Sequence, residues 1–226
     1  MSSRRDIFID NGIYHVFNKT IDRKLIFAID RYSNEFISRL KYYRSSAVSV
    51  RYSRYKTLPI EIKSHQELRI RDKTTFLYEI ICYCLMPNHF HLLVRQKKGG
   101  AINRYLSNVV NSFTRYINLL TKRQGPLFLP QFQSRMMAND EQFIHTTRYI
   151  HLNPYSSGVV GSMNELVQYP YSSYGAYINK RHDVVVEKGT LTAYMNGNME
   201  QYRKFVEDHA EHQRMLERVK HAEQWK

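Results

Sequence analysis

Two apolar runs joined by Pro87-Asn88 constrain the fold of this chain more than any other stretch. The first run, residues 76–85, is rich in β-forming residues, and Pro-Asn is typical of a turn, so the pattern predicts a β-hairpin. Side chains alternate between the two faces of a strand. In the returning strand, residues 89–94, His89 and His91 are therefore expected on one face and the intervening apolar residues on the other.

A His-x-His pair on a stiff strand is a candidate metal site. Neutral imidazole is the commonest metal ligand, and two imidazoles leave coordination positions open for a third ligand and a substrate oxygen. The spacing of His89 and His91 fits two histidines of a half-buried strand equally well. The pair needs support from elsewhere in the chain.

That support comes from a predicted helix that carries a tyrosine. Asn139 or Asp140 can cap its start, Gln142 can complete a capping box, and Pro154 is expected to end the helix at or just before the preceding residue. Tyr149 and Asn153, whose side chains end in a phenol and an amide, stand one turn apart on its same face. Taken alone, Tyr149 is one of eighteen tyrosines and fits a packing role equally well.

The order of the remaining elements predicts an α+β fold. A strand at 12–19, a helix capped by Asp30, the hairpin, an amphipathic helix over 102–120 with Tyr105 as a packing residue, and a strand at 131–137 give the order β-α-β-β-α-β. Residues 47–56 fit an edge strand or a basic loop, and a short helix can follow Pro59. This order predicts a ferredoxin-like antiparallel sheet with helices on one face and the Tyr149 helix over the histidine-bearing face. From about Met199 the pattern predicts a polar helical appendage that docks at its start.

Two segments of this chain in this order resemble the IS200-like transposases, in particular their REP-associated branch of single-tyrosine HUH enzymes. They are Met86–Val94 and Arg148–Pro154. Three further parts of the sequence agree with the resemblance: Ile13–Lys19, then Gly125–Phe128 with Phe132–Ser134, and Tyr169–Tyr174. The resemblance implies a transposase domain over residues 1–180 with a variable insertion at 45–75, followed by a helical extension over 181–226.

The resemblance also implies a mechanism. His89, His91 and Asn153 would hold Mg²⁺ or Mn²⁺, and Tyr149 would attack a DNA phosphate to give a 5′-phosphotyrosine link and a free 3′-hydroxyl. Many relatives carry Gln where this chain has Asn153, which shortens the reach of that ligand, and His145 is the alternative third ligand. The expected partner is single-stranded DNA beside a folded hairpin.

A net charge of +14 favours a polyanion as partner, either nucleic acid or an acidic membrane surface. The 13% aromatic content favours nucleic acid, because exposed rings stack on unpaired bases while cations hold phosphates. The candidate phosphate contacts are Arg23, Lys24, Arg115, Lys122, Arg123, Arg135 and Arg148.

Other features bound the cellular setting. No signal-peptide pattern and no uncharged apolar segment of about eighteen residues occur. The two cysteines, Cys82 and Cys84, are badly placed for a disulfide on a strand. We therefore expect a soluble protein of the reducing cytoplasm, without membrane contact, and the sequence leaves monomer and homodimer open.

Two rival functions remain at this stage. A non-catalytic protein on the same fold would bind hairpin DNA and would not need Tyr149. A histidine-triad-like hydrolase would need a further histidine in register, and Leu93 stands there instead. On the tyrosine helix, His151 is expected to be a surface residue.

Overall fold

The computed structural model describes residues 7–178 and 182–223, with side chains up to residue 219. The predicted domain boundary at 180/181 and the C-terminal end at Lys226 lie outside the described residues. The helices and strands, in chain order, are β1 (Ile13–Lys19), α1 (Asp30–Tyr43), α2 (Tyr52–Lys56), α3 (Ile60–Arg71), β2 (Tyr78–Met86), β3 (His89–Gln96), α4 (Ala101–Thr121), β4 (Gln133–Met136), α5 (Asp140–Ser156), α6 (Met163–Gln168), α7 (Tyr174–Ile178), α8 (Gly189–Tyr194), α9 (Met199–Glu207) and α10 (Ala210–Glu223).

The four strands form one antiparallel sheet in the order β2-β3-β1-β4. This is the strand order of a ferredoxin-like sheet, and the predicted α+β class is confirmed. β2 and β3 are joined by the two-residue turn Pro87-Asn88, as the sequence predicts. The strands β3 and β1 lie at the centre of the sheet, so a side chain on either of them has neighbours on both sides.

One face of the sheet carries the main core. Phe90 of β3 is fully buried and packs on Phe36 of α1, with ring centroids 5.0 Å apart. Phe113 of α4 lies 5.1 Å from the same Phe36 ring. Burial of each such ring stabilises the fold by roughly 1.5–3 kcal/mol. Tyr105 of α4 stacks on Tyr78 at 3.6 Å, which confirms its predicted packing role.

Helix α5 covers the opposite face of the sheet, where it packs on β2 and β3. Its start is capped as predicted, because Asn139 Oδ1 accepts a hydrogen bond from the Gln142 amide at 2.8 Å. Gln142 Oε1 in turn accepts from the Ala138 amide at 2.8 Å. The face that bears His89 and His91 is therefore the one under the tyrosine helix.

The predicted end of α5 is wrong, since the helix runs through Pro154 to Ser156. A proline inside a helix loses one backbone hydrogen bond and crowds the preceding turn. Here the last turn, residues 153–156, is buried throughout. The backbone oxygen of Pro154 also accepts from the Val160 amide at 3.0 Å. Packing of this turn offsets the local cost of the proline.

His151 on α5 is fully buried, which overturns its expected surface position. Its Nδ1 lies 2.7 Å from the Tyr202 hydroxyl and its Nε2 lies 2.8 Å from the Ser173 hydroxyl. Tyr202 belongs to α9, which docks on α5 through buried Tyr202 and Val206, as predicted for the start of the C-terminal helix. The docking of α9 seals His151 inside the protein.

The insertion at 45–75 is helical where the sequence left an edge strand or a basic loop open. A helix after Pro59 is confirmed as α3, and the run at 52–56 forms α2. Tyr52 and Tyr55 of α2 bury their rings against Tyr42 at 5.2 and 4.8 Å, which accounts for the helix. None of the helices described is long and apolar enough to cross a bilayer.

Asp30 begins α1 without capping it with its side chain, contrary to the sequence prediction. Its carboxylate accepts a hydrogen bond from the Tyr171 hydroxyl at 2.6 Å instead. The hydroxyl of Tyr171 therefore replaces the helix amide as donor to this carboxylate. Cys82 and Cys84 are buried free thiols.

Candidate active site

The register of the central strands places three histidines on one face of the sheet. Phe17 of β1 lies opposite His91, and His15 lies opposite Leu93. Directly opposed residues of an antiparallel pair project from the same face. His15 therefore shares a face with His91, and with His89 two residues earlier on β3. The rings of His89 and His91 are 5.0 Å apart between centroids.

Each strand histidine of β3 has its Nδ1 atom engaged by a neighbour. His91 Nδ1 lies 2.9 Å from His15 Nε2, and His89 Nδ1 lies 2.7 Å from Asn88 Oδ1. A carbonyl oxygen only accepts, so the proton of neutral His89 resides on Nδ1. Its Nε2 lone pair is then left for another group.

All three imidazoles are held neutral at pH 7. Burial, with Arg135 adding to it, lowers the pKa of His15 to about 4. Burial and the Lys19 cation lower the pKa of His89 to about 4, and Glu217 on α10 opposes that shift. Burial, then the neighbouring His15 and His89, hold the pKa of His91 well below its usual range. Neutral imidazole is the form that ligates a metal.

Tyr149 meets this face from α5. Its ring lies edge-on to His91 at 5.6 Å and to His15 at 6.0 Å between centroids. The backbone oxygen of Tyr149 accepts from Asn153 Nδ2 at 2.9 Å and from Gln213 Nε2 of α10 at 3.2 Å. The structure thus brings the predicted nucleophile to one of the two predicted histidine ligands.

Asn153 is buried, and the hydrogen bond of its amide nitrogen is made within α5. The Oδ1 atom is the remaining ligand atom of this side chain. Its role as third ligand stays a prediction, as does the alternative of His145. His145 is half exposed, lies 3.9 Å from Glu141 and packs beside the Phe205 ring.

The donor set on the sheet face fits a small divalent cation. Two neutral imidazoles share this strand face, and each has Nδ1 within hydrogen-bond distance of a neighbour, as the ligating histidines of metal sites commonly do. In the part of the chain that the structure describes, no three or more His, Cys, Asp or Glu side chains are grouped to hold a metal ion.

His15 was absent from the candidate site residues derived from the sequence. The segment Ile13–Lys19 alternates as a strand, so its position on a strand face was readable. Which histidine it would meet depends on the β1–β3 register, which joins residues 76 positions apart. A β1 histidine at a position that alternates with buried Tyr14 and Val16 was the available signal.

Two of the predicted phosphate contacts lie next to the histidine face. Arg135 of β4 is opposite His15 in the sheet, and its charge contributes to the lowered pKa of that histidine. Arg148 precedes Tyr149, and its guanidinium lies 4.6 Å from the Phe205 ring. Its Nη1 is buried and has no hydrogen-bond partner among the described residues.

The other five predicted contacts come earlier in the chain, and they differ in whether their charged groups already have partners within the protein. Arg123 donates hydrogen bonds to Asn118 Oδ1 and to backbone oxygens of the loop after α4. Lys24 lies 3.8 Å from Asp22, and Lys122 ends α4 in a left-handed conformation. Arg23 and Arg115 are exposed. Contact of these five residues with DNA stays a prediction.

A cavity of about 220 Å³ adjoins Tyr149 between α5 and α10. Arg148 and His145 line it from α5, and His209 and His212 line it from α10. Glu217 of α10 adds a carboxylate to this lining, so the surface next to the tyrosine is polar and carries groups of both charge signs.

Comparison with known proteins gives a match in structure alone. No family model matches the chain, and no curated protein matches it. A solved REP-associated tyrosine transposase bound to a REP hairpin aligns with a TM-score of 0.54 and 15% identity, over 83% of this chain and 92% of that one. This likeness confirms the predicted fold.

A second solved structure, a Deinococcus radiodurans R1 chain provisionally described as a transposase, aligns with a TM-score of 0.36 and 13% identity. The alignment covers 66% of this chain and 95% of that chain. A similarity at this level carries no argument about fold or function.

Proposed function

We propose that this protein is a metal-dependent, transposase-like endonuclease and strand transferase that acts on single-stranded DNA beside a hairpin. The observation that carries the proposal is the contact of Tyr149 with His91. The proposed nucleophile, Tyr149, and the neutral imidazole of His91 meet on one face of the sheet. The shared fold with a tyrosine transposase bound to a REP hairpin supports the same substrate class.

Tyr149 supplies the nucleophile in the proposed reaction. Its phenol oxygen attacks a backbone phosphorus, the phenol proton leaves to solvent, and the bond from phosphorus to O3′ breaks. The departing O3′ takes up a proton, and the 5′ phosphate stays linked to Tyr149. An ordinary phenol has a pKa of about 10, so the attack requires a cationic environment that favours phenolate.

His89, His91 and Asn153 would hold Mg²⁺ or Mn²⁺ at this site. When bound, the ion polarises the scissile phosphate and neutralises charge in the transition state. Asn88 Oδ1 lies 2.7 Å from Nδ1 of His89, and His15 Nε2 lies 2.9 Å from Nδ1 of His91, which supports Nε2 as the ligand atom of each ring. In the reverse reaction a 3′-hydroxyl attacks the phosphotyrosine, the phosphodiester reforms, and Tyr149 is released without ATP.

The charge of the chain fits this substrate. Arg135 and Arg148 flank the histidine and tyrosine positions, and the chain carries a net charge of +14. Cations beside the site would hold the phosphates on either side of the one that is cut.

Incubation of the protein with end-labelled hairpin DNA and Mn²⁺, followed by a denaturing gel, tests the proposal. We expect a covalent adduct from the wild-type protein and none from Tyr149→Phe, which loses only the hydroxyl and should still bind the DNA. Tyr116→Phe is the matched control, because Tyr116 packs against Tyr32 and Phe113 and should leave the adduct unchanged.

Mass spectrometry of the adduct locates the modified residue. A nucleotide on Tyr116, or undiminished adduct in Tyr149→Phe, would refute the assignment of the nucleophile. Hairpin binding by wild-type protein with no adduct under any divalent ion would identify a non-catalytic DNA-binding protein.

A further inference from the structure

We propose that His15 is a positioning residue that fixes the tautomer of His91, so that His91 presents an unprotonated Nε2 to the divalent ion. The inference rests on the proposed function and extends it to a residue on a different strand. It assigns His15 no contact with the ion or the DNA. Its role is to accept one hydrogen bond from His91.

The geometry leaves one proton to be shared by the two rings. His15 Nε2 and His91 Nδ1 are 2.9 Å apart, so one of these nitrogens donates a hydrogen bond and the other accepts it. If His15 donates, neutral His91 carries its own proton on Nε2 and cannot ligate through that atom. If His91 donates from Nδ1, its Nε2 is a free lone pair.

His89 shows the same arrangement with an unambiguous partner. Asn88 Oδ1 lies 2.7 Å from His89 Nδ1 and can only accept, so His89 is fixed with Nε2 unprotonated. Two histidines that share a strand face are thus each approached at Nδ1, by an amide oxygen in one case and by an imidazole in the other. The parallel assigns to His15 the part that Asn88 plays for His89.

The sheet and α5 hold His15 in this position. His15 lies diagonally across from His91 in the β1–β3 pair, and the two rings are nearly parallel, at 26°. Phe17 lies 5.1 Å from the His15 ring and Tyr149 lies 6.0 Å from it, edge-on. A ring packed on two sides cannot turn its Nε2 away without moving these neighbours.

Nitrogen NMR of protein labelled at histidine tests the assignment in the wild-type chain without metal or DNA. We expect the shared proton on His91 Nδ1, a nitrogen–nitrogen coupling to His15 Nε2, and the chemical shift of an unprotonated nitrogen at His91 Nε2. A shared proton on His15 Nε2 with His91 protonated at Nε2, unchanged when Mg²⁺ is added, would overturn the inference.

Two substitutions of His15 test separately the need for a hydrogen-bond acceptor and the need for a ring at this position. His15→Gln offers an amide oxygen where Nε2 lies and should keep the His91 tautomer and the affinity for Mn²⁺, measured by the loss of the free-ion EPR signal. His15→Phe keeps a ring without an acceptor and should weaken Mn²⁺ binding by about 10- to 100-fold, as loss of a partner to a ligating histidine does. Equal Mn²⁺ affinity in wild type and a folded His15→Phe would contradict the inference.

The two proposals fail in different ways. If the wild-type protein forms no phosphotyrosine adduct, the proposed function fails whatever the His91 tautomer. If the wild type forms the adduct while the NMR places the shared proton on His15, only the role of His15 fails. The NMR measurement uses the wild type, so it decides the inference even where His15→Phe does not fold.

Discussion

His91 and His151 are both buried and both hydrogen-bonded, yet their rings differ in what they leave unused. His151 engages both nitrogens, one with the Tyr202 hydroxyl and one with the Ser173 hydroxyl. His91 engages Nδ1 with His15, and its ring faces the edge of Tyr149. Burial lowers the pKa of both histidines, so neither burial nor pKa separates them.

The number of ring nitrogens that already have a hydrogen-bond partner distinguishes a structural histidine from a candidate metal ligand. A ring with two partners stabilises the packing around it and has no lone pair for an ion. A ring with one partner is oriented by it and keeps a ligand atom. The same criterion places His89 with His91, since the hydrogen bond of His89 to Asn88 also uses Nδ1.

The largest effect should come from substitution of the two β3 histidines that are candidate metal ligands. We expect His89→Ala and His91→Ala to lower DNA cleavage by about 100-fold or more, because each removes an imidazole that would hold the ion. Circular dichroism should show a retained fold. His65→Ala, at an exposed position of α3, is the control and should cleave at the wild-type rate. Cleavage at the wild-type rate by His89→Ala or His91→Ala would refute the proposed metal site.

Substitution of the structural histidine, His151, should instead lower stability and leave adduct formation by the folded protein intact. His151→Ala removes one hydrogen-bond partner from each of the Tyr202 and Ser173 hydroxyls and opens a cavity, so we expect the free energy of unfolding to fall by about 2–4 kcal/mol. Urea denaturation measures the loss, and His65→Ala should change it by less than about 0.5 kcal/mol. If the folded fraction of His151→Ala forms no adduct, the two histidines are not separable in this way.

A smaller effect follows from the pKa of His151, which burial lowers to about 3. As pH falls below the unfolded value of 6.5, the unfolded chain binds a proton at this residue while the folded chain does not. Stability is therefore lost as pH falls towards 3, by up to about 1.4 kcal/mol per pH unit from this group. Melting between pH 4.5 and 6.5 should show a shallower slope in His151→Phe, and an unchanged slope would contradict the assignment.

The smallest effect concerns the cationic side chains around the histidine face and the salt dependence of DNA binding. DNA affinity should fall with salt, with log K changing by about 0.7 per phosphate contacted for each tenfold change in salt. Arg148→Gln should reduce that slope by about one such contact. Arg203→Gln, whose guanidinium is paired with Glu207 at 2.8 Å, is the matched control and should leave the slope unchanged. Equal slopes in all three proteins would leave Arg148 without a phosphate contact.

The local patterns of the sequence were enough to predict the sheet and the tyrosine helix. The hairpin, the alternation that puts His89 and His91 on one face, and the Asn139 cap all depend on neighbouring residues, and the structure confirms them. The position of Tyr149 over that face followed from the order of elements and from the resemblance. The third ligand, the ion and the DNA contacts stay predictions.

The parts that the sequence did not predict depend on contacts between distant segments. His151 is sealed by Tyr202, which lies 51 residues later, and no local pattern carries that docking. The helix continues through Pro154 because its last turn is buried, and burial outweighs the local preference. The contact of His15 with His91 depends on the strand register, which a side-chain pattern within β1 does not specify.

The pairing of β1 with β3 also orders events during synthesis. Contacts between residues far apart in the chain form slowly, and chains fold from the N-terminal side as they are made. His15 and His91, 76 residues apart, can meet once β3 has emerged, whereas α5 is translated later. A growing polypeptide can therefore form its histidine face before α5 is made, and a chain that stops short of α5 lacks the tyrosine that we propose is joined to DNA.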